Sequence, residues 1–342
     1  MKVLITGGTG YIGSHTVVEL IDNKNDLIIL DNLSNSSVDV LDGIKKITGK
    51  KPYFIKLDLT DTKATNDFFD NNTDIEAIIH FAAYKAVNES VENPLMYYKN
   101  NLISLMNILT NMNKHDIRNL VFSSSCTVYG QPDKNNLPVT ENSPIKKANS
   151  PYGNTKQISE DIIIDTLSAN KNLKAIFLRY FNPIGAHKSS FIGELPLGVP
   201  NNLVPFITQT AIGIRKQLNV FGGDYNTPDG TAIRDYINVV DLAKAHVIAI
   251  NRLINNKNKS QYEIFNLGTG KGVSVLEAIK AFEKSTKVKL NYKIVDRRPG
   301  DIEQVWADTS YANSELGWKA ETSLEDTMLS AWNWEKYIRN KK

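Results

Sequence analysis

The sequence predicts an α/β protein: a doubly wound parallel sheet followed by a smaller mixed α/β lobe. Three observations predict it. Short, wholly apolar runs alternate with longer stretches of helical spacing through the first 180 residues, a glycine-rich loop follows the first run at once, and a Gly/Pro-rich stretch at 182–200 ends the alternation. Strands that are apolar throughout, rather than at every second position, are covered on both faces as parallel strands are.

In chain order, segments 2–6, 27–30, 53–57, 77–81, 120–122 and 173–178 read as strands. Between them, 12–20, 65–69, 102–112 and 158–167 carry apolar residues at helical spacing. Repeated units of this length imply right-handed crossovers onto one sheet. The stretch 182–200, with Pro183, Gly185, Gly193, Pro196 and Gly198, opens the second lobe. Helices are expected there at 203–214, 241–253, 275–283 and 324–337, and strands at 263–267 and 288–294. The reading divides the chain into a dinucleotide-binding unit at 1–181, with a later return around 236–266, and a lobe made mainly of 182–342.

Composition narrows the function classes. The 342 residues are 41% hydrophobic and 23% charged, which suits a globular enzyme and excludes collagen, coiled coil and disorder. The 40 Lys and Arg against 37 Asp and Glu leave a net charge of +3, too small for a polyanion track, so no nucleic-acid partner is expected. A single cysteine, Cys126, allows no internal disulfide, and no Cys/His cluster suggests a metal. The start of the chain lacks the apolar stretch of a secretory signal, and no run approaches a membrane span of about 18 apolar residues, so a cytoplasmic protein without a membrane partner is expected.

The first strand runs into Gly7-Gly8-Thr9-Gly10-Tyr11-Ile12-Gly13 and then a helix. Early glycines allow a tight turn that brings backbone N–H groups to a pyrophosphate, and the last lets helix and strand pack closely. The helix N-terminus adds a favourable dipole. Such a string is weak evidence alone; the strand before it, the helix after it and Asp31 closing the second strand strengthen it into a Rossmann-type dinucleotide site. A carboxylate at Asp31 accepts from a ribose 2′-OH and repels a 2′-phosphate, which favours NAD over NADP. Asp58, ending the third strand, reads equally well as an acceptor for the adenine amino group or as a turn cap.

The strand at 120–122 runs into Ser123, Ser124 and Ser125, where the carboxyl ends of parallel strands face the ligand crevice. Ser150-Pro151-Tyr152-Gly153-Asn154-Thr155-Lys156 follows at the head of a helix, with Tyr152 and Lys156 on one face. A phenol titrates near 10; a neighbouring ammonium and a nicotinamide cation would lower that and ready it to exchange a proton with an alcohol, while a serine hydroxyl polarises the same oxygen.

With these residues in hand, the chain resembles the extended short-chain dehydrogenase/reductase superfamily and, within it, the UDP-glucose 4-epimerase family. The likeness runs through TGGTGYIGSHT at 6–16, LDN at 30–32, HFA at 80–82, KAV at 85–87, ESV at 89–91, SSSCTVYG at 123–130, SPYG at 150–153, RYFNPIG at 179–185, GTAIRDY at 230–236 and WAD at 306–308. It implies Ser125, Tyr152 and Lys156 as the catalytic group. It implies Gly7, Gly10, Tyr11, Ile12, Gly13, Asp31, Asn32, Asp58, Leu59, Phe81, Ala82, Lys85, Asn100 and Lys156 around NAD. For a UDP-sugar it implies Ser125, Tyr152, Asn182, Asn202, Leu203, Val220, Phe221, Arg234, Arg298, Asp301 and Val305. The residues alone read differently in places: Arg298 and Asp301 as a surface ion pair, Phe221 as a core aromatic.

The implied reaction interconverts UDP-galactose and UDP-glucose through a 4-keto sugar. Val305 stands where the family often carries a bulky tyrosine or a smaller residue, whose size is linked to whether N-acetylated sugars fit; it implies room for N-acetylated UDP-sugars, unless a neighbouring side chain fills the space. The resemblance also implies a homodimer through helices at 102–112 and 158–167, although their apolar faces could equally be covered within one chain. Two rivals remain open. A 4,6-dehydratase or decarboxylase would place acids directly after the active-site hydroxyl, where this chain has Cys126-Thr127-Val128. A non-catalytic NAD-binding module would have no need of Tyr152 and Lys156.

Overall fold

The first strand shows why the sheet is covered twice. In the computed structural model, which describes residues 2–298 and 301–340, β1 (Lys2–Thr6) sends Val3 and Ile5 into one apolar core and Leu4 into another. Successive strand side chains point to opposite faces, so an all-apolar strand needs helices on both. The units that follow are α1 (Tyr11–Asp22), β2 (Asp26–Asp31), α2 (Val40–Thr48), β3 (Tyr53–Lys56), α3 (Thr62–Asp70), β4 (Ala77–His80), α4 (Val87–Glu92), α5 (Pro94–Lys114), β5 (Asn119–Ser125), α6 (Pro151–Ala169) and β6 (Lys174–Tyr180).

The second lobe begins with β7 (Asn182–Ile184), α7 (Leu203–Ala211), β8 (Leu218–Phe221), β9 (Ile233–Arg234) and β10 (Tyr236–Asn238). The chain then returns to the large sheet through α8 (Val239–Ile254) and β11 (Tyr262–Leu267). It ends in β12 (Val273–Ser274), α9 (Val275–Thr286), β13 (Tyr292–Val295), β14 (Gln304–Val305) and α10 (Leu324–Asn340). The large sheet is all parallel, in the order β11-β6-β5-β4-β1-β2-β3. Its strand order reverses between β1 and β4, which opens the crevice where such sheets bind ligands. The small lobe packs α7, α9 and α10 around Ile207, Phe282 and Trp332, with β9 between β12 and β14 and β8 beside β13.

Several expected boundaries move for local reasons. The strand expected at 120–122 continues to Ser125, because its serines stay in register with β6 as far as Ser125↔Tyr180. The helix expected at 65–69 starts at Thr62, where Asp61 accepts a hydrogen bond from the Ala64 N–H at the N-cap. The helix expected at 203–214 stops at Ala211 ahead of Gly213, whose φ is +85°. The strand expected at 288–294 is confined to Tyr292–Val295. Helix α2, amphipathic but short, escaped the reading. Of the faces expected to pair across a dimer, Leu105, Ile108, Leu109, Met112, Ile163 and Leu167 are buried in the chain's own second core.

Candidate active site

The glycine loop is built from close approaches. Gly7 has φ +71° and hands its N–H to the Leu30 carbonyl of β2 at 2.8 Å. A Cβ on Gly13 would lie 2.3 Å from the Gly7 carbonyl oxygen, so only glycine lets α1 start this close to β1. The N-cap of α1 is Gly10, which offers no side-chain cap, so the first-turn N–H groups keep their capacity for an anion. Asp31 accepts from Thr9 N (3.2 Å), Leu33 N (2.9 Å) and Ser36 Oγ (3.2 Å), tying the end of β2 to this loop. A side-chain-free cradle at a helix N-terminus beside a carboxylate fits a dinucleotide. Asp58 accepts from Thr60 N and Oγ1 and from Asn32 Nδ2; burial raises its pKa, and these bonds more than offset that and hold it below the usual range.

Around the same crevice stand Tyr11 and Ile12, Phe81 and Ala82 just past β4, and buried Leu59. Tyr11 donates to the Gly185 carbonyl at 2.6 Å. Lys85 reaches Glu194 at 3.4 Å. Asn100 donates to Asn101, which is itself bound to the backbone of Tyr84.

Helix α6 begins where Ser150 caps the Gly153 N–H at 3.1 Å and Pro151 takes the first helical position. That start carries Tyr152 and Lys156 to β5. Tyr152 is hydrogen-bonded with Ser125, and Ser125 also caps the following 3₁₀ turn through Thr127 N. Lys156 Nζ donates to the Ser123 carbonyl at 2.5 Å and lies 4.8 Å from the Phe122 ring centroid. Burial pushes Lys156 down to about 8, with the Glu160 charge pulling the other way.

The lowering expected of an ammonium and a nicotinamide cation together does not come from the protein's own groups. Burial pushes the Tyr152 phenol up to about 12, more than the Ser125 hydrogen bond offsets.

On the small-lobe side, Arg298 forms a two-bond pair with Asp301, Nη2 to Oδ1 at 2.7 Å and Nε to Oδ2 at 3.2 Å. The guanidinium sits 5.4 Å from the Phe221 ring centroid. Phe221 is 39% exposed, so it is not a core aromatic. Arg234 donates to the Ile233 carbonyl; Asn182 starts β7, and Asn202 donates to Glu194 at 2.5 Å immediately before Leu203. Two residues sit deeper than a pocket wall would: Val220 is buried in the small-lobe core, and Val305 packs with Val128, Tyr129 and Phe181.

Sequence reasoning missed Glu160, Arg179 and Glu194. Glu160 had a signal, since it continues the four-residue spacing of Tyr152 and Lys156. Arg179 and Glu194 had none, because their partners are set by sheet register and loop path.

A glycine loop at a helix N-terminus, a Ser–Tyr–Lys group at the head of α6 and an arginine–phenylalanine pair in the small lobe are the parts that an extended short-chain dehydrogenase/reductase acting on a nucleotide-linked sugar needs. Residues 4–330 match the family described as GDP-mannose 4,6 dehydratase. The chain is 49% identical to the UDP-glucose 4-epimerase of Bacillus subtilis (strain 168), over 98% of this chain and 97% of that protein. It is 48% identical to the enzyme of Haemophilus influenzae, over 98% of each. The crystal structure of UDP-glucose 4-epimerase from Bifidobacterium longum in complex with NAD+ and UDP superposes with a TM-score of 0.94 at 45% identity, covering 100% of both chains. This chain belongs to the UDP-glucose 4-epimerase family.

Proposed function

We propose that Ser125, Tyr152 and Lys156 carry the reaction of an NAD-dependent UDP-glucose 4-epimerase, which interconverts UDP-galactose and UDP-glucose. The observation that carries the reading is the meeting of the β5 hydroxyls with Tyr152 and Lys156 at the crevice mouth, next to the glycine cradle. NAD held by Gly7, Gly10–Gly13 and Asp31 supplies a reversible hydride acceptor. Tyr152 Oη takes the proton of the sugar 4′-OH and later returns one to the 4-keto sugar. Ser125 Oγ hydrogen-bonds the same oxygen, and the Lys156 ammonium favours the charged phenolate. The sugar is reduced on its opposite face, so C4 inverts with no net oxidation. Arg298 and Arg234 suit the diphosphate and Phe221 the uracil, which leaves the sugar itself loosely held.

A dehydratase reading lacks its acid. Cys126 and Thr127 follow Ser125, and the buried carboxylates Glu160 and Asp235 are taken up, Glu160 by Arg179 and Ser124 and Asp235 by Thr269, Gly270 N and Ala307 N. The test is product analysis with UDP-galactose and NAD in the absence of added reductant: UDP-glucose is expected, and its absence would overturn the reading.

The same proposal assigns 1–181, with the return around 236–266, to NAD and the remainder mainly to the nucleotide sugar. Turnover of UDP-N-acetylglucosamine and UDP-N-acetylgalactosamine as well rests on the small size of Val305, which acts through the buried cluster of Val128, Tyr129 and Phe181 and not as an open pocket wall. A homodimer is supported by exposed Val91, Leu95, Met96 and Met106 along α4 and α5, and sedimentation would read a mass near one chain if it is wrong. Among the described residues no helix is long and apolar enough to cross a membrane, and one unpaired cysteine accords with a cytoplasmic setting.

A further inference from the structure

Three residues of α6 grip three consecutive residues of β5. Tyr152 bonds Ser125, Lys156 bonds the Ser123 carbonyl, and Glu160 accepts from Ser124 Oγ at 2.5 Å. Glu160 is the one with no assigned part in the reaction. Its carboxylate is clamped by Arg179 of β6 through two bonds, Nη2 to Oε2 at 2.5 Å and Nε to Oε1 at 3.0 Å, and both side chains are almost fully buried. Arg179 lies directly opposite Ser124 in the sheet register. It also donates to Tyr129 Oη at 3.0 Å, and Tyr129 donates to Asn266 of β11 at 2.7 Å.

A buried ion pair is seldom the stablest way to fill such a volume, since well-packed apolar residues often do as well or better. Retention of a full charge one helical turn below the catalytic lysine therefore asks for another reason. The elements around Lys156 bring His80 from β4, Tyr180 and Arg179 from β6, Tyr129 from the turn after β5, and Tyr97, bonded to Glu89, from α5 and α4. Among these, burial keeps His80 neutral, its pKa lowered to about 3, and the charge seen opposing the desolvation of Lys156 is that of Glu160.

We propose that Glu160, locked in place by Arg179, is a positioning residue for the epimerase reaction: it sets how α6 seats on β5 and holds the Lys156 ammonium charged beneath Tyr152. The inference rests on the reading of Ser125, Tyr152 and Lys156 given above. Wild-type protein turning over UDP-galactose carries that reading, and the ratio of variant to wild type carries this one.

The experiment is kcat and KM for UDP-galactose across pH 6 to 10, with thermal unfolding, for Glu160→Gln and for the double variant Glu160→Gln/Arg179→Met. Glu160→Gln is expected to lower kcat about tenfold with KM within about twofold. Its alkaline limb should move to lower pH by about one unit, because Lys156 loses its counter-charge. The double variant removes the unpaired buried cation; it should recover thermal stability while the limb stays displaced. A Glu160→Gln limb and kcat equal to wild type would overturn the proposal, as would recovery of both together with stability in the double variant.

Discussion

On the large-sheet side of the site, Ser125, Lys156, Glu160 and Arg179 are each under a tenth exposed, and their polar groups already have partners. On the small-lobe side, Phe221 stands open to solvent and Arg298, a third exposed, is paired with an aspartate three residues away. The difference accords with the work proposed for each half. Proton transfer gains from groups fixed before the substrate arrives, because reorganisation at the moment of reaction is costly. Recognition of an anion needs cations that can change partner, and a partly exposed ion pair contributes little, so exchanging it for a ligand costs little.

The sharpest way to break this comparison is to remove the phenol. Tyr152→Phe should lower kcat about 10²- to 10⁴-fold, the range for loss of a positioned acid–base group, while bound NAD stays near stoichiometric. Turnover within a few-fold of wild type would remove the fixed half of the site from the chemistry. Arg298→Met should act on the other half, raising KM for UDP-galactose about 10- to 100-fold with little change in kcat, because the bond it makes to the substrate is kept throughout the reaction. A fall in kcat with unchanged KM would mean that the two halves are not divided as described.

Acid sharpens the contrast further. His15, His80 and His246 pack on or within the large sheet, and burial pushes them down to about 3, 3 and 4. Unfolded histidine binds a proton near 6.5, whereas these do not until far lower pH. Their contribution is therefore intact above about 6.5 and is lost as pH falls toward 4, at about 1.4 kcal/mol per pH unit for each group. Urea unfolding at pH 7 and pH 5 reads it, and His246→Leu should flatten the slope by about a third of this sum. Val305→Tyr is read through the buried cluster of Val128, Tyr129 and Phe181: overpacking should cost about 1–3 kcal/mol of stability, and UDP-N-acetylglucosamine turnover should fall further than UDP-galactose turnover. Retained turnover of the acetylated sugar by that variant would detach Val305 from sugar choice.

Much of this was legible because local constraints leave marks in a linear string. Gly7 and Gly13 had to be glycine for reasons of close approach, and Ser150-Pro151 announces the helix start that delivers Tyr152 and Lys156. Phe221 and Val220 show the limit. They are adjacent and similarly apolar, yet one faces solvent and the other the small-lobe core, and only strand β8 and its pairing with β13 assign them.

By itself, the sequence determined the βα alternation, the dinucleotide cradle and the tyrosine–lysine spacing, because each is settled by residues within a few positions of one another. The tertiary structure alone decided that Glu160 meets Arg179 and Ser124, that Glu194 links Lys85 to Asn202, and that burial raises the pKa of Tyr152 more than its Ser125 hydrogen bond offsets. Those depend on sheet register, loop path and desolvation, which are properties of the packed chain and not of any segment of it.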